Sequence, residues 1–273
     1  MVVLNVSATN LLANTTVPSI TLVVTSCGRA ALLHKTLETF SQNNTHPLYE
    51  AVIVEDGGLE HDHASLAQVL NLAPEKLRII KNLQNIGQLR SIDRAYASVK
   101  SEYIFHCEDD WEFYRPGFIE ESLDILCTDA RLFCVWIRAH DDTNGHPIDC
   151  NVKLTANGHD YYLMALGYRG VWNGFTLNPG LRRTADCLIT GPYSELPIAH
   201  ELKGRTKITE SDLSIHYHRL GYRAAISSGV NGYIRHIGQN HHLANEWESK
   251  LLVLVKNYGR RAIEVIRGCL RGV

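Results

Sequence analysis

Short apolar runs alternate with segments of helical periodicity over the first half of the chain. The runs are rich in β-branched and aliphatic residues and predict four buried strands, at 20–25, 50–54, 77–80 and 103–105. Apolar residues between them recur at the spacing of amphipathic helices, which predicts helices over 30–41, about 62–72 and about 88–99. Strands and helices that alternate in this way build right-handed βαβ units. We therefore expect an α/β fold with a mostly parallel sheet flanked by helices.

Polar side chains follow each of the four predicted strands. The four groups are Thr25 and Ser26, Glu55 and Asp56, the segment 82–85, and the run Glu108, Asp109 and Asp110. Any one of them could be ordinary turn chemistry, because Asp, Asn, Gly and Ser favour turns. In a parallel sheet, however, ligands bind beyond the carboxyl ends of the strands. Four polar strand ends on one edge therefore predict a binding site.

The densest group is the acidic run Glu108, Asp109 and Asp110, which is closed by Trp111. Adjacent carboxylates repel one another and resist burial, so this group costs stability unless a cation is held there. Mg²⁺ and Mn²⁺ prefer carboxylate oxygens and often share their coordination shell with phosphates. The alternative is a solvated acidic turn. The chain has neither a Walker A loop nor a GxGxxG motif, so the common phosphate-binding loops are absent from its sequence.

The second half of the chain predicts a strand at 131–137, an exposed polar loop over the site at 138–157, and a helix from 209 to 220. Thr209 and Asp212 have the spacing of a helix capping box. After residue 246, apolar residues alternate with arginines, which is typical of an amphipathic helical tail. Such a tail either packs on the domain or touches an anionic membrane surface.

Composition narrows the class of protein. The chain has 273 residues, 45% of them hydrophobic and 21% charged, and a formal net charge of −2, which gives no reason to expect a nucleic-acid partner. Its seven cysteines include no CxxC pair, which favours a reducing compartment. No apolar run reaches the roughly 20 residues of a membrane span, and the first sixteen residues lack the basic start of a signal peptide. We expect a cytoplasmic protein, with peripheral membrane contact through the tail as an option.

Several of these segments resemble motifs of family 2 glycosyltransferases of the GT-A type. Residues 23–29 are similar to the family's opening strand and turn, 52–58 to its VVDDGS turn, and 85–87 to its NxG element. Glu108–Asp110 stands where the family carries DxD, in a form similar to the EDD motif of N-acetylglucosaminyltransferase I. The resemblance covers about 20–237. It implies a Rossmann-like GT-A domain over 18–240, with a lead-in at 1–17 and the helical tail at 241–273.

The resemblance also implies a function and a set of binding residues. The function is metal-dependent transfer of a sugar, with inversion, from a nucleotide-diphosphate donor such as a UDP-sugar to a hydroxyl of a glycan or lipid-linked acceptor. Asp110 and His236 would hold Mn²⁺ or Mg²⁺. His236 matches the histidine of a C-terminal H-x-G turn in the family. The side chains expected to bind the nucleotide are Thr25, Arg29, Glu55, Asp56, Asn85, Arg90, Glu108 and Asp109.

Residues of the second half would complete such a site. Glu210 aligns with the catalytic aspartate of the family and would act as the general base, with Asp212 as second choice. Trp172 and Asn173 lie in the segment that resembles the wall of the donor-sugar and acceptor site, and aromatic rings suit the apolar faces of sugars. The alternative for Trp172 is a core position.

Two other functions remain open at this point. A sugar-1-phosphate nucleotidyltransferase shares much of the fold, but its loop after the first strand is rich in Gly, Arg and Lys, and 26–29 is sparse by comparison. A non-catalytic carbohydrate-binding protein would not need the carboxylates. The number of associated chains cannot be read from the sequence.

Overall fold

The computed structural model describes residues 17–200 and 207–238. In these ranges the elements follow one another as β1 (Ile20–Ser26), α1 (Ala30–Asn43), β2 (Glu50–Glu55), α2 (His63–Val69), a 3₁₀ helix (Pro74–Lys76), β3 (Leu77–Lys81), α3 (Gln88–Tyr96), β4 (Tyr103–Glu108), β5 (Trp111–Phe113), α4 (Phe118–Thr128), β6 (Leu132–Trp136), β7 (Lys153–Leu154), β8 (Asp160–Leu163), β9 (Gly180–Arg183), α5 (Thr184–Leu188), a second 3₁₀ helix (Tyr193–Glu195), α6 (Glu210–Arg219), β10 (Arg223–Ser227) and β11 (Ile234–His236).

The largest sheet has the strand order β3-β2-β1-β4-β9. Its first four strands are parallel, and β9 joins β4 in the antiparallel sense. The sheet register pairs Ser26 with Glu55 and Thr25 with Glu108, so the polar ends of three strands stand side by side. The predicted α/β fold and the shared strand edge are thus confirmed.

Alternate residues of the central strands face two separate cores, as the period of two in a strand requires. On one face, Leu22 and Ile53 belong to the core that includes residues of α1, α2 and α4. On the other, Val23 and Val52 share a core with residues of α3, α5 and α6. Burial on both faces explains why these strands read as continuous apolar runs.

Two smaller sheets complete the described part of the chain. One has the order β6-β10-β8-β7, and the other pairs β11 with β5. In that second pair, which is antiparallel, His236 lies opposite Trp111, directly after the acidic run. The short β5–β11 ladder therefore carries a histidine from the end of the described chain to the polar edge of the main sheet.

The predicted exposed loop at 138–157 is only partly correct. Arg138, Thr143 and Thr155 are buried, and Lys153–Leu154 forms the short strand β7. The loop is anchored because these side chains find partners: Arg138 pairs with Asp142, and Thr155 donates to a carboxylate on α4, that of Asp124. No helix in the described residues is long and apolar enough to cross a membrane. The predicted tail at 241–273, and all but the last residue of the lead-in, lie outside the described residues.

Candidate active site

Arg29, in the turn after β1, ties the acidic run to the first strand. Its Nη1 lies 2.9 Å from Asp110 Oδ2 and its Nε 3.1 Å from Asp109 Oδ2, and a second ion pair joins its Nη2 to Asp109. Ser26 Oγ also donates to Asp109 at 2.8 Å. Burial raises the pKa of Asp109, although Arg29 and Ser26 act in the opposite direction. Asp109 therefore holds the turn in place, and one guanidinium neutralises part of the charge that makes this run costly.

Asp110 and His236 are brought together by the β5–β11 ladder. His236 Nε2 lies 3.3 Å from Asp110 Oδ2, and the imidazole packs on the Trp111 ring with 5.0 Å between ring centroids. Burial alone would raise the pKa of Asp110, but His236 and Arg29 outweigh it and lower that pKa. The hydrogen bond with Asp110 raises the pKa of His236.

These two side chains fit a divalent cation that is shared with a ligand. Within 17–200 and 207–238, no group of three or more His, Cys, Asp and Glu side chains is placed to hold a metal ion alone. One carboxylate and one imidazole offer an oxygen and a nitrogen, and Mg²⁺ in particular is usually held by one or two carboxylates together with phosphates of the substrate. Imidazole ligates in its neutral form, so metal and proton compete for His236.

Glu108 lies on the same edge as the metal candidates but in a different setting. Gln88 Nε2 donates to Glu108 Oε1 at 2.6 Å, and Trp111 Nε1 approaches its Oε2 at 3.3 Å. Burial, together with the nearby carboxylates of Asp110 and Glu210, raises the pKa of Glu108 to about 7. Glu108, from β4, and Glu210, from α6, are therefore close enough to influence each other's charge.

Glu55 and Asp56 are turned into the protein. Glu55 is fully buried, and its carboxylate accepts hydrogen bonds from the backbone N–H groups of Gly28 and Gly57, at 2.8 and 2.7 Å, and contacts His61 Nε2 at 2.8 Å. Asp56 accepts from the Asn82 side chain at 2.8 Å and from two backbone N–H groups in the turn before α3. We therefore assign both carboxylates to the geometry of the turns rather than to direct contact with a nucleotide.

The other predicted nucleotide contacts are spread along the same edge. Thr25 is buried near the end of β1, and Asn85 is exposed and reaches Cys27 Sγ at 3.3 Å. Arg90 is exposed on the first turn of α3 and lines a cavity beside it. Of these three residues, Arg90 is the one that lines a cavity in the described part of the chain.

Glu210 and Asp212 begin the same helix but have different environments. Glu210 Oε1 accepts the Leu177 N–H at 2.5 Å, and burial raises its pKa against the opposing effects of Leu177, Thr176, Arg182 and Arg138. Asp212 is fully buried in the capping box with Thr209, and it also accepts the Ala199 N–H at 2.8 Å. The capping-box interpretation of Asp212 is confirmed, and Glu210 is the better candidate for a base.

Glu210 lines two cavities. The larger, of about 530 Å³, extends along the start of α3 past Gln88 and Arg90, and we call it the Arg90 cavity. The smaller, of about 230 Å³, is walled by Trp136, His146, Tyr168 and Trp172, and we call it the aromatic cavity. A carboxyl group with two neighbouring cavities can contact two ligands at once.

The model of the glycosyl transferase family 2 matches residues 21–185, which is more than half of the chain. The chain belongs to this family. A search of curated proteins gave no match. Its fold is that of GT-A enzymes.

Solved structures of other glycosyltransferases share this fold. The mannosyltransferase PcManGT from Pyrobaculum calidifontis, in complex with GDP-Man and Mn²⁺, is 14% identical with a TM-score of 0.52, over 79% of this chain and 56% of that one. TarS 1–349 from S. aureus is 13% identical with a TM-score of 0.52, over 79% and 59%. GalNAc-T7 with UDP, GalNAc and Mn²⁺ is 12% identical with a TM-score of 0.53, over 82% and 44%. At these identities the likeness concerns the fold alone, and this chain spans less than two thirds of each of these proteins.

The two residues predicted to bind a sugar, Trp172 and Asn173, have different surroundings in the structure. Trp172 is half-buried in the wall of the aromatic cavity, with its ring 5.1 Å from that of His146. Asn173 instead accepts the Gly167 N–H at 3.1 Å, and its own N–H donates to Ser214 Oγ at 2.7 Å. Trp172 thus lines the cavity, whereas Asn173 holds the loop against α6.

Two buried arginines near Glu210 could not be identified from the sequence as site residues. Arg138 is 4% exposed, binds Asp142 at 2.7 Å, and lies 5.0 Å from the centre of the Trp111 ring. Arg182, on β9, is fully buried and donates to Tyr96 Oη at 2.9 Å and to the backbone carbonyl of Thr176 at 2.5 Å. Arg138 directly follows an apolar strand, which is a weak signal of a site residue; Arg182 gives no signal in the sequence.

Proposed function

We propose that this glycosyltransferase moves a sugar from a nucleoside-diphosphate donor, with UDP as the expected nucleotide, to a hydroxyl of a glycan or lipid-linked acceptor, with inversion at the anomeric carbon. The observation that carries the proposal is the position of Glu210. Glu210 lines both the Arg90 cavity and the aromatic cavity. A base in that position can reach an acceptor hydroxyl while a donor occupies the other side.

Each side chain at the strand edge has a role in this proposal. Asp110 and His236 would hold Mn²⁺ or Mg²⁺, which when bound stabilises negative charge on the leaving diphosphate. Arg29 neutralises part of the charge of the acidic run, and Gln88 and Arg90 line the donor side. Mn²⁺ accompanies GDP-Man in PcManGT and UDP with GalNAc in GalNAc-T7, which supports both the metal and the kind of donor.

Glu210 would remove the proton from the acceptor hydroxyl as the oxygen attacks the anomeric carbon opposite the leaving group. Burial raises its pKa above the ordinary value for glutamate, which makes it a stronger base once it is ionised. The Leu177 N–H, Thr176 and the two buried arginines work against burial and favour the carboxylate. These groups therefore favour the ionised form of Glu210, and the Leu177 N–H fixes the orientation of its carboxylate.

The geometry disfavours the nucleotidyltransferase alternative. Arg29, the one basic residue of the turn at 26–29, is engaged with Asp109 and Asp110. Arg29 would have to leave these two carboxylates before it could bind the triphosphate of a nucleotide. A purely carbohydrate-binding role would leave the paired strand-edge carboxylates and the raised pKa of Glu210 without a purpose, since such groups are costly to bury.

The test is sugar transfer by a Glu210→Gln variant. We expect kcat to fall by about 10²- to 10⁴-fold, because general-base catalysis contributes that much, while donor binding stays within about twofold. The assay measures release of nucleoside diphosphate from a panel of nucleotide sugars, with Mn²⁺ or with EDTA. Glu75→Gln is the matched control, since Glu75 is exposed in a 3₁₀ helix. Full turnover by Glu210→Gln would contradict the proposal.

A further inference from the structure

The aromatic cavity is built to receive a sugar ring. The His146 ring stands at its centre, with ring centroids 5.4 Å from Trp136, 4.7 Å from Tyr168 and 5.1 Å from Trp172. Rings of this kind offer flat apolar surface for the C–H faces of sugars, with polar edges for hydroxyl groups. The cavity volume of about 230 Å³ is enough for one or two small rings and not for a whole nucleotide sugar.

The charge at the cavity mouth is unusual for a neutral-sugar site. Arg169 lines the cavity and is exposed, and its guanidinium lies 5.0 Å from the centre of the Tyr168 ring. Across the described parts of the chain it makes no ion pair with a carboxylate. Of two further arginines near this cavity, Arg138 is paired with Asp142, and Arg182 is fully buried and donates to backbone carbonyls and to Tyr96. Glu210 is the one acidic side chain among the residues that line the cavity.

The backbone holds Arg169 at this position. Tyr168 and Trp172 exchange hydrogen bonds of 2.9 Å in both directions, which closes a tight turn with Arg169 at its tip. Arg169 adopts a left-handed conformation, with φ of 50°, which is uncommon for a residue with a long side chain. The turn therefore fixes the backbone of Arg169 on the same short segment that supplies two of the aromatic walls.

The positive charge is felt inside the cavity. Burial lowers the pKa of His146, and Arg169 and Arg138 lower it further because a second cation beside a guanidinium is unfavourable. His146 is therefore disposed to stay neutral and to act as an apolar and hydrogen-bonding wall. The charge that remains for a ligand to pair with is that of Arg169.

We propose that the aromatic cavity binds an acceptor sugar that carries an anionic group, a carboxylate or a phosphate, which pairs with Arg169. This inference rests on the proposed function, because it takes the acceptor to lie on the aromatic side of Glu210. A guanidinium presents parallel N–H groups that match both carboxylate and phosphate oxygens, so the two sources share one chemistry. A neutral sugar would offer this guanidinium no opposite charge.

The test compares neutral and anionic glycosides as ligands. The probes are methyl glucoside, methyl glucuronoside, which has a carboxylate, and methyl glucoside 6-phosphate, each titrated by ligand-observed NMR. The proteins are the wild type, Arg169→Asn, Arg169→Lys and Arg219→Gln. Asparagine is chosen because it adopts the left-handed conformation readily, so the turn is kept while the charge is lost. Arg219 is an exposed arginine on α6, outside the cavity, and serves as the control.

We expect at least one anionic glycoside to bind about tenfold more tightly than the neutral one, since charge-assisted pairs are the strong ones. Arg169→Asn should abolish that preference, Arg169→Lys should keep part of it, and Arg219→Gln should leave it unchanged. The glycoside that binds more tightly tells whether a carboxylate or a phosphate is recognised. Equal binding of all three, or a preference that survives in Arg169→Asn, would overturn the inference.

A second measurement separates this inference from the proposed function. Binding of nucleotide sugars with Mn²⁺ is measured on the wild type and on Arg169→Asn, and we expect no difference between them. Intact donor binding together with no preference for anionic glycosides overturns the acceptor inference alone. If the wild type binds none of the nucleotide sugars, the proposed function is overturned instead.

Discussion

Single residues set the proton chemistry of the site, and opposing effects meet at Glu210. Burial raises its pKa, while a backbone N–H, a hydroxyl and two buried guanidinium groups lower it. One of these groups, Arg182, also donates to the carbonyl of Thr176, in the segment whose Leu177 N–H binds the Glu210 carboxylate. Arg182 thus acts on the base both by its charge and through the loop that it braces.

Replacement of Arg182 tests this role. In Arg182→Gln the positive charge is lost, so the pKa of Glu210 should rise further and the acid limb of the kcat/KM profile should move to higher pH. We also expect kcat to fall by about ten- to a hundredfold, because the braced loop loses its anchor. Arg182→Lys, which keeps the charge, should restore the position of the limb. An acid limb that stays in place in Arg182→Gln would contradict the account.

Residue roles could be predicted from the sequence only where a motif marked them. Asp110, His236 and Glu210 stand in recognisable patterns, and the structure brings Asp110 and His236 together. Glu55 and Asp56 also stand in a motif, but sequence does not show which way a side chain points, and both turn inward. Arg182 could not be predicted, because its partners are backbone carbonyls and a tyrosine brought to it by tertiary packing.

At the scale of elements, a single side chain holds a hairpin on a helix. The β7–β8 hairpin is held on α4 by one carboxylate, that of Asp124, which accepts from Thr155, Asn157 and His159. Burial alone would raise the pKa of Asp124, but these three partners outweigh it and lower that pKa. The hydrogen bonds therefore stabilise the hairpin while Asp124 is ionised.

We expect Asp124→Asn to loosen this hairpin and to reduce the free energy of unfolding by about 1–2 kcal/mol at neutral pH. Because the pKa of Asp124 is lowered in the folded state, its contribution is present above the ordinary value of 3.8 and disappears as the pH falls through the folded-state value. Urea unfolding at several pH values and hydrogen exchange over 153–163 measure both effects. Asp160→Asn, in the same hairpin and exposed, is the control. Unchanged hydrogen exchange in Asp124→Asn would contradict this role.

Element positions in the first half were predictable because burial leaves a strong pattern. The four parallel strands and three helices lie where the apolar periodicity predicts them, with ends that differ by a few residues. The strands β7 and β8 were not predicted, because Lys153–Leu154 and Asp160–Leu163 are short and partly exposed. Strand β8 pairs with β10, more than 60 residues further along the chain, and β7 pairs with β8.

At the scale of the whole molecule, β9 connects the main sheet to the second one. It pairs with β4 in the main sheet, and Gly180 at its start packs on the backbone of β6. A Cβ atom at Gly180 would lie 2.7 Å from the Val135 carbonyl oxygen, which is closer than such atoms approach. The absence of a side chain at this one position lets the two sheets meet.

Gly180→Ala should therefore destabilise the whole described domain. We expect a loss of about 1–3 kcal/mol in the free energy of unfolding, the usual cost of overpacking a tight interior. Urea unfolding followed by far-UV circular dichroism and by tryptophan fluorescence measures it, since Trp111 and Trp136 lie in different sheets. The two signals should shift together. Wild-type stability in Gly180→Ala would show that the sheets do not meet as described.

The central claim is that Asp110 helps to hold a metal ion shared with the diphosphate of a donor, while Glu210 acts only on the acceptor. Isothermal titration calorimetry with GDP-mannose and a set of UDP-sugars, with Mn²⁺ or with EDTA, tests it most directly. We predict that at least one nucleotide sugar binds, that EDTA weakens its binding at least about tenfold, that Asp110→Ala has the same effect, and that Glu210→Gln binds like the wild type. Binding that is equally tight with and without Mn²⁺, or unaffected by Asp110→Ala, would contradict the account.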